Sequence, residues 1–362
     1  MNYRSYNRGE WTEVYVLFYL LGQKKLYKGD ASFQKLSDFF YISRVFHYEN
    51  LEKVEFQLEN NLSEIVIKRS GCINQRISAQ DFINKANDIF EAIINSQGRS
   101  FSIPAIEDFL KSINCQTIKQ DSRNVKDIEI GIIDTKRDRH DNFSFSIKSK
   151  LGQSPTIFNA GKKTVFIYRI ESNNNLDIPK LKELESATKI LRTIRGQCQI
   201  VFDELKTREF TNTFYRNLIL IDDSMPIIVA NLLLNAYSGS GENNKSIIEL
   251  HKKMTMDNPC GYELQNVGEI YERKIKNFLT DITLGLKASE DWKKDNTPNG
   301  FLVVTKNGEV LSYYLLDRKT FEDCLFTQTK LDVPSRKRHD YGTVYQEEGN
   351  YYIKLCLQVR FR

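Results

Sequence analysis

Three side chains in the stretch Lys126–Lys150, KDIEIGIIDTKRDRHDNFSFSIKSK, have the types and spacing for hydrolytic chemistry at phosphorus. Asp127 opens a run, with Ile128, Glu129, Ile130, Ile132 and Ile133, that reads as one β-strand. Phe143, Phe145 and Ile147 alternate with Ser144, Ser146 and Lys148 in a second, the period-two pattern of a half-buried strand. Side chains two apart share a strand face, so Ser146 and Lys148 project together. A carboxylate on the neighbouring strand and a lysine on that face can hold Mg²⁺ beside a water and a phosphate. The metal lowers the water's pKa, and the ammonium stabilises hydroxide or the charge developing on phosphorus. The plain structural alternative is that Ser-x-Lys is a solvated strand face.

This arrangement resembles the PD-(D/E)xK nuclease core, with Asp127 as the D and Ser146-Ile147-Lys148 as a degenerate (D/E)xK. Other acids are candidates. Glu129 has the parity of Asp127 and could approach the same metal. Asp134 has the opposite parity, and Asp141 falls close to the turn formed by Lys136, Arg137, Asp138, Arg139, His140 and Asp141. Glu13, in the first turns of an N-terminal helix, is either there for the helix dipole, as Glu10 is, or an extra acid near the metal.

The elements that must position these groups follow from periodicity. Gly9–Gly22, GEWTEVYVLFYLLG, reads as a helix with Trp11, Val14, Tyr15, Phe18 and Leu21 as its apolar stripe and Gly22 as its stop. Val54–Leu58 and Ser63–Lys68 form a hairpin around Asn60-Asn61, after a stretch without clear pattern. Ser78–Ser96 is an amphipathic helix, capped by Ser78 and Asp81, and a shorter helix follows Pro104. Thr164–Ile170 is a third strand. Residues 178–290 read as helical scaffold, with Leu181, Leu184 and Leu191 on one helix, Ile227, Val229, Leu232 and Leu233 on another, and Glu269–Leu286 as a third. KKDNTPNG, Lys293–Gly300, is the best candidate linker. The tail returns to β character, with turns at Asn307-Gly308 and Gly349-Asn350.

The fold class expected is therefore α+β (α/β): a restriction-endonuclease-like central mixed β-sheet flanked by helices. Residues 1–292 would form the nuclease core with a helical insertion, and 293–362 a β-rich C-terminal part for DNA recognition.

A chain of 362 residues with 40% hydrophobic residues can bury a sizeable core. Its net charge of +5 is compatible with a polyanionic partner without requiring one. Six cysteines without CxxC spacing and four scattered histidines argue against a zinc site. The N-terminus lacks the apolar core of a signal peptide, and no apolar run approaches the roughly 18 residues that span a bilayer. A cytoplasmic protein without membrane contact is expected.

Two loops carry donors suited to nucleic acid. Gln153, Asn159, Lys162 and Lys163 follow the second strand and offer amide and ammonium groups for phosphates or base edges. Pro334 keeps KLDVPSRKRHDY out of a regular ladder and leaves Ser335, Arg336, Lys337, Arg338 and His339 as a cationic cluster. Arginine there can grip guanine O6 and N7, and lysine can neutralise phosphate. Both loops also read as ordinary solvated surface.

GEWTEVYVLFYLLG, FSIKSKLGQSPTIFNAGKKTVFIYRI and LDVPSRKRHDYGTVY, in that order, resemble the HpaII-type restriction endonucleases along nearly the whole chain. The middle block is the most specific; its Ala160-Gly161 departs from the Ala-Ser of the family. The likeness implies a type II, Mg²⁺-dependent endonuclease that cuts double-stranded DNA at a short palindrome, expected to be CCGG, leaving 5′-phosphate and 3′-hydroxyl ends. It puts the catalytic aspartate on Asp127 and the lysine on Lys148. Ser146 stands where other nuclease families have the second acid, and the Ile147 carbonyl becomes a metal ligand. A homodimer on the palindrome and a companion DNA methyltransferase are further implications. Two rival readings are a sequence-specific DNA-binding protein without catalysis and a nuclease directed by DNA structure, such as a junction or mismatch.

Overall fold

In the computed structural model of the chain, the longest strand is Lys35–Glu49, and the sheet carrying the Asp127–Lys148 hairpin is built on it. The structure describes residues 3–49, 52–59, 63–115, 126–135, 139–172, 176–239, 241, 245–334 and 341–362. The chain forms two compact units: Met1–Pro155 with Asn296–Phe321, and Thr156–Asp295 with Glu322–Arg362. These boundaries differ from the 292/293 division that composition suggests, because two strands from late in the chain return to the first unit.

In chain order the elements are β1 (Tyr6–Asn7), α1 (Arg8–Gln23), β2 (Lys25–Gly29), β3 (Lys35–Glu49), β4 (Glu52–Leu58), β5 (Glu64–Lys68), β6 (Gln75–Ser78), α2 (Ala79–Asn95), β7 (Ser100–Phe101), α3 (Pro104–Ser112), β8 (Ile128–Asp134) and β9 (Arg139–Ser149). There follow β10 (Thr156–Phe158), β11 (Val165–Ser172), α4 (Ile178–Glu183), α5 (Ala187–Ile194), β12 (Cys198–Phe202), α6 (Glu204–Phe210), α7 (Asn212–Ile221), α8 (Met225–Ser238), α9 (Ile247–Asp257) and α10 (Val267–Thr283). The last are β13 (Gly300–Val304), β14 (Val310–Tyr314), α11 (Arg318–Gln328), β15 (Thr329–Leu331), β16 (Val344–Glu347), β17 (Asn350–Cys356) and β18 (Val359–Phe361). The fold is mixed α and β.

The main sheet of the first unit runs β2-β14-β13-β9-β8-β3-β4-β5-β6, and β2 also pairs with β3, which closes six of its strands into a ring. One face packs on α1 and α2, through Trp11, Phe18, Leu21, Phe82, Ile89, Ile130 and Phe145, all fully buried. Each such side chain contributes about 1.5–3 kcal/mol by leaving water. The start of α1 is a capping box: Asn7 Oδ1 accepts the Glu10 N–H at 3.0 Å, and the Glu10 carboxylate accepts the Asn7 N–H at 2.8 Å. Its end is Lys24, in the left-handed region at φ +59° with its N–H on the Leu20 carbonyl. Gly22 is thus not the stop. It lies in the last turn, where a β-carbon would press on Ile83 of α2.

The second unit holds a four-stranded sheet, β12-β11-β17-β16, and a three-stranded one, β10-β18-β15, with helices packed around them. Tyr168 and Tyr237 are fully buried and donate their hydroxyls to the Ala230 and Cys356 carbonyls. Several sequence expectations are corrected here. Leu181 and Leu191 fall on two helices, α4 and α5, because Leu184 is extended and Ser186 starts a new cap. Strand β12 interrupts the block read as helical scaffold. After the turn read at Gly349-Asn350 the tail forms two strands, β17 and β18, in different sheets. The last hairpin turns at Glu348-Gly349, one residue early, where both φ values are positive (49° and 80°). The hairpin at Asn307-Gly308 is longer than a two-residue turn: Thr305 N–H still bonds the Glu309 carbonyl, with Gly308 at φ +85°. Asn60 and Asn61 lie outside the described residues. Among the described residues no single helix is long and apolar enough to cross a membrane.

Candidate active site

β8 and β9 pair antiparallel from Ile128↔Phe145 to Asp134↔Arg139. Arg139, His140 and Asp141 therefore belong to the strand and not to the turn, while 136–138 lie outside the described residues. Ile128, Ile130 and Phe145 face the helices, which leaves Glu129, Ser144, Ser146 and Lys148 on the opposite face. On its other side β9 pairs in parallel with β13, setting Phe301 beside Ser146 and Val303 beside Lys148. Asn299, which sequence reading placed in a linker, holds this edge. Its Oδ1 accepts the Ser144 N–H at 2.8 Å, and its own N–H donates to the Ser144 carbonyl at 2.7 Å.

Asp127 lies one residue before β8. Its N–H donates to the Phe145 carbonyl at 2.9 Å, and its carboxylate Oδ2 accepts the Ile147 N–H at 2.6 Å. The acid is thereby fixed against the residue that precedes Lys148. Burial pushes the Asp127 carboxyl up from its ordinary range, against the pull of Lys148 and the Ile147 amide. Burial likewise pushes the Lys148 ammonium down, opposed by the charges of Asp127 and Glu13. Asp127 and Glu13 are thus each within electrostatic reach of Lys148. Thr12, fully buried beside Glu13, sets its hydroxyl 3.0 Å from Ser149 Oγ and ties α1 to β9. Nothing in the sequence pattern marked Thr12 or Asn299.

The other acids are accounted for differently. Glu10 is consumed by the helix cap. Glu129 accepts the Tyr48 hydroxyl at 2.6 Å and pairs with Lys53 at 3.3 Å. Asp134 and Asp141 lie toward the opposite end of the hairpin, seven residues along the strands from Asp127 and Lys148, or roughly 20 Å. Among the described residues no group of three or more His, Cys, Asp or Glu side chains is placed to hold a metal.

The HpaII restriction endonuclease model matches residues 7–361 of this chain. The chain is also similar to the type II restriction enzyme HpaII of Haemophilus parainfluenzae, with 34% identity over 362 residues, covering 99% of this chain and 98% of that protein. The chain belongs to the HpaII restriction endonuclease family. No solved structure matches it. As an HpaII-family member it is a type II site-specific deoxyribonuclease with DNA as substrate, which leaves the non-catalytic and structure-directed readings without support.

Type II restriction endonucleases generally use divalent metal ions. The residues of the candidate site fit one. Two carboxylates, Asp127 and Glu13, offer the oxygen donors a hard cation takes. Ser146 is 3% exposed, and its Oγ is buried without a hydrogen-bond partner. A buried polar atom of that kind is costly unless something satisfies it. An acid whose carboxylate is disfavoured by burial is stabilised by a nearby cation.

Of the residues expected to touch DNA, Gln153 is exposed in the first unit, six residues beyond Ile147. Asn159, Lys162 and Lys163 are exposed in the second unit, around a 3-10 turn at Lys162–Thr164. Thr164 Oγ holds that turn by accepting the Gly161 N–H at 3.0 Å. Ser335, Arg336, Lys337, Arg338 and His339 lie outside the described residues.

Proposed function

We propose that this enzyme hydrolyses duplex DNA at CCGG with Mg²⁺, leaving 5′-phosphate and 3′-hydroxyl ends, and that the Asp127–Lys148 face is its active centre. The observation that carries the reading is that the Asp127 carboxylate sits on the Ile147 amide, between Ser146 and Lys148 of one strand face, with Glu13 of α1 within electrostatic reach of Lys148. Asp127, Glu13 and the Ile147 carbonyl would hold the metal. Bound there, it would supply Lewis-acid polarisation of the phosphodiester and a more acidic water. Lys148 orients the attacking water and stabilises the charge that develops on phosphorus. Ser146 Oγ accepts or donates a hydrogen bond to that water, which meets its unpaired state.

The target follows from the family likeness, and the two-fold symmetry of CCGG favours a homodimer, one subunit for each half-site. Gln153, Asn159, Lys162, Lys163 and the Ser335–His339 cluster contact the DNA, with the C-terminal part reading bases. A DNA methyltransferase protects the host sites, and the enzyme works in the cytoplasm. The test is digestion of an unmethylated DNA of known sequence with Mg²⁺, or with EDTA as control, and sequencing of the ends. Discrete Mg²⁺-dependent ends at CCGG are expected. Ends at another palindrome would replace the target, and cutting in EDTA would overturn the metal.

A further inference from the structure

Phe33 holds a backbone conformation that large side chains rarely adopt. Its φ is +62°, in the left-handed region that β-carbon sterics disfavour, yet its ring is buried. The turn that imposes this is pinned. Asp30 Oδ1 accepts the N–H groups of Ser32 and Gln34 at 2.7 and 2.8 Å. The Asp30 carbonyl accepts the Tyr313 hydroxyl at 2.8 Å, and a β-carbon at Gly29 would collide with that hydroxyl. The ring of Phe33 meets Tyr313 edge-on at 5.8 Å, and Tyr313 stacks on Phe301 at 4.9 Å.

Phe301 is the register partner of Ser146, so this aromatic ledge starts at the active face. Its far end carries Lys150, whose Nζ lies 4.5 Å above the Phe33 ring. Lys150 is one residue past β9, in step with Ser146 and Lys148, and its N–H donates to the Val304 carbonyl at 2.8 Å. A lysine normally surrenders stem freedom when it grips a phosphate, and a ring beneath the ammonium reduces that loss in advance. A chain that stores backbone strain to seat the ring beside a catalytic strand is using it for placement.

We propose that Lys150 binds a DNA phosphate neighbouring the scissile one, and that Phe33 is the positioning residue that holds its ammonium there. This rests on the Asp127–Lys148 face being the active centre. A purely structural cation over a ring would contribute nothing to the salt dependence of DNA binding. A phosphate contact contributes about one unit to the slope of log K against log salt.

The full chain is titrated with CCGG duplex in EDTA over several salt concentrations, and KM and kcat are measured with Mg²⁺. Lys150→Gln is expected to lower the slope by about one, and Lys150→Arg to restore it. Phe33→Leu is expected to raise KM severalfold with kcat changed less, while Phe33→Tyr, which keeps the ring, stays near the parent. An unchanged slope in Lys150→Gln overturns the proposal, as does equal behaviour of Phe33→Leu and Phe33→Tyr. Should Phe33→Leu fail to fold, the Lys150 pair alone decides. Asp127→Asn is run alongside: normal cutting by it would refute the active centre itself, whatever the slopes show.

Discussion

The Asp127 carboxylate accepts the Ile147 N–H at 2.6 Å across the β8–β9 pair. Asp127 precedes the first ladder residue of β8, so its side chain supplies an acceptor to β9 at that edge, and the acid is held against the strand that carries Lys148. Asp127→Ala leaves that amide without its partner and is expected to cost about 1–3 kcal/mol. Asp127→Asn keeps an acceptor oxygen and should lose clearly less. Urea unfolding of the two variants measures the difference, and equal losses would mean that the hydrogen bond does not position the acid.

Burial holds the Asp127 carboxyl above its usual range and the Lys148 ammonium below its own. For the raised acid, the associated stability is complete below about pH 4 and is lost as pH rises through its folded pKa. For the depressed lysine it is present above about pH 10.4 and is lost as pH falls through its folded pKa. Near neutrality the DNA-free enzyme therefore bears both penalties, and a cation at Asp127 relieves the first. Mg²⁺ at about ten times its Kd should raise Tm by on the order of 2–4 °C at neutral pH. The rise should vanish in EDTA and in Asp127→Asn. A rise of the same size in that variant would place the bound metal elsewhere.

In the second unit, Asp222 accepts Lys274 Nζ at 2.5 Å and the Ser224 N–H and hydroxyl at 2.9 and 2.6 Å. Burial raises the Asp222 carboxyl, but these hydrogen bonds outweigh it and hold the acid below its ordinary range. A depressed acid contributes stability above its unfolded pKa, about 3.9, and loses it as pH falls through the folded value. Asp222→Asn should destabilise at pH 7 by about 1–2 kcal/mol. The gap from the parent should narrow at acid pH, as the carboxyl protonates in the folded state. Denaturant titrations at the two pH values check this, and a gap that persists at low pH would contradict it.

Gly22 sits within α1 with Ile83 of α2 against it. In an open helix Gly→Ala gains roughly 0.5–1 kcal/mol. Here the added methyl meets both the side chain and backbone of Ile83, so Gly22→Ala should instead lose about 1–3 kcal/mol. A stabilised variant in thermal or urea unfolding would show that the two helices can separate without loss.

Much of the site was legible because it is local. Phe143, Phe145 and Ile147 alternate cleanly, and that alternation sets Ser146 and Lys148 on one face wherever the sheet lies. α1 announced itself through its apolar stripe and the acids of its first turns, while its cap residue Asn7 was not marked. The neighbour of β9 was not legible: β13 joins it in parallel from some 150 residues downstream, and such pairing leaves no short-range mark. β3 was missed because Phe39, Phe40 and Tyr41 are consecutive aromatics that blur alternation. Phe33 was missed because a bulky side chain at positive φ runs against local preference, and the ring it packs on, Tyr313, comes from far along the chain. The same distance hid the grip of Asn299 on Ser144.

The most direct test of the account is single-turnover cleavage of a CCGG duplex by Lys148→Ala and Asp127→Asn, paired with a gel-shift measurement of binding in EDTA. Both variants should bind within a fewfold of the parent and cut at least about a hundredfold more slowly. Near-normal cutting by Lys148→Ala would contradict the assignment of this strand face as the active centre.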